Sequence, residues 1–512
     1  MENNVLHENR EPIRKLHPLW MFAEFLKSIK GLFFFFIFLS VVLGFSSHSI
    51  FSIYGFIGIC LFLCYQIVSI LLEWKHFGYS IQDDELFIKK GRFLTIKRYF
   101  PINRIQSLNQ STPFFHRLFG LTSLLIDAGS SDKDSSIKLE MISIQDANDI
   151  KKQLSKLGNG TIDITEEDHT NEETALEDTK QKLKKHYEIS VKEILVASLT
   201  SLRLLFFLTL VYSVYSEISH FFSIDQYVDQ FIDIFLSSWF LTITGIVLLL
   251  VLSMLYGVLK TYIQYGGFTV ASDSNHIYIA KGKINTTYSS IAKDRIQALT
   301  MNSSFVHKLL HIVQVKMISA TDTEDEVIQA SNVLFPFIHK YRARNLIAEV
   351  TQEFHIKNNM MRIPRSSILV KLLRTMILWL LIPVFLYYFY PGFWYIATII
   401  FALTILSQIV SGLYSSYSIN GSFMQIEKGA LSTKFFITNR DKIERLIVTE
   451  TAIQRKLGLA SMKIISRAKP TKTTTIHDIP KEAANRYYEW YLEGTRGQVP
   501  RPPSCLAFID KN

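Results

Sequence analysis

The side chains of this 512-residue chain best suited to chemistry are clustered cations. Lys89, Lys90, Arg92, Lys97 and Arg98 crowd into one short stretch, and Lys281 with Lys283 and Lys428 with Lys434 echo them further along. Ammonium and guanidinium groups so placed recognise phosphate or carboxylate, and beside an anionic bilayer each is worth about 1 kcal/mol. A second set is Arg104, Arg295 and Lys442, followed thirteen residues later by Arg117, Lys308 and Arg455. All of these suit an anionic lipid or a protein partner. Long basic side chains also pair internally, lie on a solvated strand face or snorkel toward headgroups, so a structural role stands beside the binding role.

Reaction chemistry has no comparable support. The chain holds no GxxxxGK[ST], HExxH, GxSxG or CxxC pattern. His307 and His311 stand one helical turn apart, a spacing that suits zinc. Their counterparts are His116 with Gly120 and Gln454 with Gly458, so the pair is not repeated and reads more plainly as surface histidines. Cys60 and Cys64 lie in one apolar run and Cys505 is isolated, which argues against a disulfide framework and fits a reducing compartment. No enzymatic activity, cofactor or metal site is expected.

What must position the cations is a threefold repeat. Gly91, Gly282 and Gly429 each sit thirteen residues before the basic-Ile pairs Arg104-Ile105, Arg295-Ile296 and Lys442-Ile443. Two equal intervals in three places mark one repeated unit. A pair of long apolar runs precedes each copy, most of them near the roughly 20 residues that cross a hydrocarbon core. Six membrane helices follow, because a helix satisfies its own backbone there. Their centres carry no ionisable residue, only Gln66 and Gln408, which argues against a transporter or channel.

Charge sets the orientation. The turns around His48 and Pro391-Gly392 lack Lys and Arg, and the longer one carries Glu217, Asp225, Asp229 and Asp233. Basic residues instead precede the hairpins, for example Lys184, Lys185, Arg362 and Arg365. By the positive-inside rule the polar domains and both termini are expected in the cytoplasm. Trp20, Trp74, Tyr262 and Tyr265 are expected at the interface. The net charge of +10 lies largely beside the spans and does not imply nucleic acid.

Between the spans, short β-branched and aromatic segments such as ELFIKK, TIKRYF and SLLIDAG read as strands, FFHRLFGL as a short helix, and Asn420-Gly421 as a hairpin turn. Each copy is expected to close with a helix: QDANDIKKQLSKL, FPFIHKYRARNLIAEVTQEF and PKEAANRYYEWYLEG. Asp163 to Asp178 form an acidic linker.

The order aromatic-x-Ile, strand, Gly, strand, Arg-Ile-Gln-Ser-Leu, His-Arg-Leu-Phe-Gly-Leu resembles the bacterial pleckstrin-homology domain family of the YdbS/YdbT type. The second copy departs from it at His311 and by two extra residues before Gly282, and the third at Lys442-Ile443-Glu444. The resemblance implies a β-barrel or sandwich of about seven strands with a C-terminal helix, each preceded by a membrane hairpin. The expected class is therefore membrane α-helical hairpins plus α+β, in three repeats. The boundaries are an N-terminal interfacial segment 1–30, hairpins at 31–72, 191–260 and 362–413, domains at 78–157, 266–354 and 416–494, a linker 158–185 and a tail 495–512. It also implies a bacterial plasma-membrane scaffold that binds membrane lipids and a smaller sister with one hairpin and one domain. An envelope-defence factor against membrane-active peptides is the alternative, which a deletion strain would reveal by peptide sensitivity.

Overall fold

The computed structural model describes residues 13–29, 50–157, 183–199, 237–319, 332–389 and 394–495, less short stretches within them. Expectations for the first run of hairpins one and two, for most of the acidic linker and for the tail lie outside the described residues. Two compact units divide the chain: residues 1–182 with Ile284–Ile291, and Leu183–Lys283 with Ala292–Asn512.

In the first unit, β1 (Gly78–Gln82), β2 (Glu85–Lys90) and β3 (Ile96–Pro101) form one antiparallel sheet. A second contains β4 (Ser107–Thr112), β5 (Leu121–Asp127) and β6 (Ser136–Ser143). Every residue of β5 is buried, as its run of Leu and Ile demands of a central strand. The closing helix Ile144–Leu157 buries Ala147 and Ile150 at the i, i+3 spacing of one face. Ser143 accepts from the Asp146 amide at 3.0 Å and caps its N-terminus. The N-terminal segment also joins this core: Arg14 bridges Tyr79, Leu16 is buried, and Trp20 is 8% exposed with its indole donating to Glu140. Trp20 is therefore a core residue rather than an interface anchor.

The second unit repeats this plan twice. Its strands are β7 (Lys184–Glu188), β8 (Thr269–Ser272), β9 (His276–Lys281), β11 (Ile296–Ser303), β12 (Ile312–Ser319) and β13 (Val333–His339). The third copy supplies β14 (Met361–Arg362), β15 (Ser416–Asn420), β16 (Phe423–Gly429), β17 (Thr433–Asn439), β18 (Ile443–Thr449), β19 (Leu459–Ser466) and β20 (Lys472–Pro480). The strand β10 (Thr286–Ala292) spans the sequence junction of the two units. Three bulges confirm the equivalence of the copies. Register shifts fall between Thr122 and Leu124, Val313 and Val315, and Ala460 and Met462, the same repeat position each time.

Two further features differ from the sequence expectation. FPFIH belongs to strand β13 and the closing helix starts at Lys340. Lys184 and Lys185, taken as linker, and Arg362, taken as a hairpin flank, lie in strands β7 and β14. These strands precede the hairpins and pair with the first strand after them, Lys185 with Ala271 and Arg362 with Ser416. In the second and third copies the segment holding the apolar runs is thus flanked by two paired strands.

Among the described residues, three helices are long and apolar enough to cross a membrane: Trp239–Tyr265, Ser366–Phe389 and Tyr395–Tyr414. A further helix, Ile50–His76, carries the second run of the first hairpin. The two helices of the third hairpin approach closely at Gly412, where a Cβ would lie 2.5 Å from Ile368.

The turn after each short helix is left-handed in all three copies: Gly120 φ 66°, His311 φ 55° and Gly458 φ 64°. Only His311 carries a side chain there. His311→Gly should stabilise the folded chain by about 1 kcal/mol, read as a raised unfolding midpoint in detergent. An unchanged or lowered midpoint would mean that the ring stacked on His339, 6.0 Å away, outweighs the backbone strain.

Candidate functional site

In all three copies the connection from second to third strand meets the end of a long apolar helix. In the first, Lys89 stands opposite Lys97 and Lys90 opposite Ile96 across β2 and β3, while Arg98 is opposite Ile88. Lys90 and Lys97 are exposed. Arg92 Nε donates to Glu73 Oε2 at 2.7 Å, in the last turn of Ile50–His76, and that bond holds its guanidinium pKa up. In the second copy Lys281 is buried and desolvation pushes its ammonium down to about 8. The stem of Lys283 packs where a Cβ on Gly266, at the end of Trp239–Tyr265, would fall. In the third, Gly429 lets the connection touch Tyr414, since an added Cβ would lie 2.7 Å from Tyr414 Cβ. Lys428 there titrates low, first because it is buried and then because Lys434 and Lys371 repel it.

The other repeated cations separate into two groups. Arg104 lies outside the described residues. Arg295 is 3.5 Å from its neighbour Asp294 in the same turn, and Lys442 donates to the Asp294 carbonyl, so Lys442 ties the turns Arg440–Lys442 and Lys293–Arg295 together. Arg117, Lys308 and Arg455 ride on the short helices Phe114–Leu118, Phe305–Leu309 and Ala452–Lys456. Lys308 Nζ sits 5.1 Å above the Tyr414 ring and donates to Ala430 O at 3.2 Å, placing that helix at the end of a membrane-length helix. Arg455 reaches Glu450 at 4.0 Å and is largely exposed.

Two features escaped sequence reasoning. The short helices expose apolar side chains: Phe115 is 71% exposed, Leu118 68% and Leu309 72%. The signal was present, because a five-residue helix can bury only one face and FFHRLF has four large apolar residues. The second feature is a cavity of about 450 Å³ in the second unit, lined by Lys308, Lys340, Arg344, Arg362, Tyr414 and Glu427 among others. Lys340 pairs with Glu427 at 3.0 Å. Four cations therefore face one carboxylate in a concavity at a hairpin base, an arrangement that attracts an anion.

The histidine pair does not converge. The His307 ring packs on Phe337 at 6.0 Å and burial lowers its pKa, while His311 turns to His339. Among the described residues, no group of three His, Cys, Asp or Glu side chains could hold a metal ion.

Comparisons with known proteins agree with this architecture. The family model described as Bacterial PH domain matches residues 32–158, 206–354 and 368–495. The chain is 24% identical over 485 residues to the UPF0699 transmembrane protein YdbT of Bacillus subtilis (strain 168), covering 93% of this chain and 98% of that protein. No solved structure matches it. Three matched segments that together span most of the sequence show that this chain belongs to the bacterial PH domain family.

Proposed function

We propose that this chain is a multi-pass scaffold of the bacterial cell membrane that holds three PH domains against the inner leaflet and binds anionic lipid there. The observation that carries this reading is the cation-lined cavity beside Tyr414, with Lys308, Lys340, Arg344 and Arg362 on its wall. A membrane-length helix ends at Tyr414, so a lipid phosphate at the inner surface lies within reach of these groups. The exposed Phe115, Leu118 and Leu309 support it, since apolar tips flanked by cations suit the headgroup boundary. The exposed Lys90 and Lys97 of the first copy, with the half-buried Lys89 opposite Lys97, would add attraction to the same surface. In this reading each module is a two-helix membrane hairpin followed by its PH domain, the chain works without catalysis, and a smaller sister protein is a partner.

Purification in mild detergent tests the lipid site. The wild-type chain should retain phosphatidylglycerol, and Arg344→Gln with Arg362→Gln should retain less than about half as much, with the difference shrinking in high salt. Equal retention by both proteins would sink the proposal. Charge reversal at Arg92 is a poor probe, because it would set a carboxylate against Glu73.

Orientation has its own test. Reporter fusions at Ser47, Asp225 and Gly392 should report outside, and fusions at Lys90, Asp168 and Lys472 inside. An outside signal from any PH domain overturns the cytoplasmic arrangement.

A further inference from the structure

The fourth strand of one module pairs with the third strand of the module that follows. In the first unit β4 pairs with the segment Thr286–Ile291, and in the second β11 pairs with β17. Both pairings use one register. Ser107 faces Ile291, and Ala298 faces Thr438. In each case the third residue after the repeated basic residue (Arg104, Arg295) meets the ninth after the repeated glycine (Gly282, Gly429). Two interfaces with identical register, built from dissimilar side chains, are a property of the repeat itself.

Among the described residues, each end of the series then presents one half of that interface on an outer strand. At one end of the series β3 is the outer strand of its three-stranded sheet. At the other end β18 is the outer strand of β18-β19-β20. Both strands keep the shape of their paired counterparts. The pairing of Lys90 with Ile96 in the first copy matches that of Lys428 with Lys434 in the third. The register shift between Ile443 and Arg445 in β18 matches that between Ile296 and Ala298 in β11. Outer strands present unpaired N–H and C=O groups, a template for another strand.

We propose that a second copy of this chain continues the series, with β3 of one copy pairing antiparallel against β18 of another. The shared register sets Phe100 opposite Arg445, Lys97 opposite Val448 and Ile96 opposite Thr449. Lys97 then lies diagonal to Glu450, within reach of a long side chain. The two edges differ, so the contact is heterologous and builds rows or rings rather than a closed two-fold dimer. A PH module of another protein, or this chain's own residues 496–512, could compete for β18, and the test separates these occupants.

Two full-length copies with different tags, each with Cys60, Cys64 and Cys505 replaced by Ser, are co-expressed and oxidised in native membranes. One carries Ile96→Cys and the other Thr449→Cys. Residues directly opposite place Cβ atoms about 4.5–5.5 Å apart, so a disulfide joining the two tags is expected. Moving the second cysteine to Arg445→Cys shifts it by about 13 Å along the strand, and linkage should fall by roughly tenfold. Equal linkage at both positions, or no linkage between the two tags, overturns the proposal. Photobleaching of the cysteine-free, fluorescently tagged full chain in membranes supplies a second reading. Several steps per spot support the row, whereas single steps, or spots that hold one copy beside a different PH protein, refute it.

Discussion

Replacing Asp478 by alanine should destabilise the chain by about 3 kcal/mol, measured as unfolding in detergent. Asp478 is fully buried at the end of β20 and accepts from Gln454 Nε2 at 2.6 Å and from Arg374 at 3.3 Å. Gln454 is buried as well and also donates to Ser461, so loss of the carboxylate strands an amide as well as a guanidinium. Arg374 is half-exposed, which keeps the expected cost at the lower end for a broken buried pair. Backbone strain adds to it, since φ at Asp478 is 61°, where Asp and Asn are tolerated better than Ala. Asp478→Asn separates these effects: it keeps the backbone preference and a partner for Gln454, and should cost only about 1 kcal/mol. Equal melting of wild type and Asp478→Ala would show that Arg374 does not fasten the third domain to its hairpin.

Tyr187→Ala should cost about 4 kcal/mol, while Tyr187→Phe should cost about 1 kcal/mol. Tyr187 lies in β7, before the second hairpin, yet is 1% exposed in the core formed after it. Its ring meets Phe335 at 5.2 Å and Phe268 at 6.2 Å, and Arg342 lies over its face. Its hydroxyl donates to Glu193 at 2.9 Å and lies 3.2 Å from the Phe337 carbonyl. Burial first, and Glu193 second, push the phenol above its ordinary value of 10.0. The folded state therefore holds this proton more tightly than the unfolded state. Stability from the phenol is present below pH 10 and is lost as pH rises beyond it, so wild type should lose its advantage over Tyr187→Phe in alkali. A constant gap between the two proteins from neutral pH upward would show that the phenol is not held neutral by burial.

Local pattern determined much of this protein. Equal spacings from Gly91, Gly282 and Gly429 marked three copies, and runs such as SLLIDAG marked strands, because side-chain alternation and burial are written residue by residue. The apolar runs marked membrane-length helices for the same reason: twenty residues of Ile, Leu and Phe leave no polar face. Tertiary structure alone decided how the copies join. Strand pairing is made by backbone groups common to all residues, so SLNQST and TTYSSIA carry no mark of being neighbours. Lys184, Lys185 and Arg362 had one sequence meaning as flanking charge and a second as strands that tie off the hairpins, and only long-range pairing selects the second. The cavity is of the same kind. Lys308, Arg344 and Arg362 are distant in sequence and become one cationic wall because β11 pairs with β17, carrying a short helix to the foot of a hairpin.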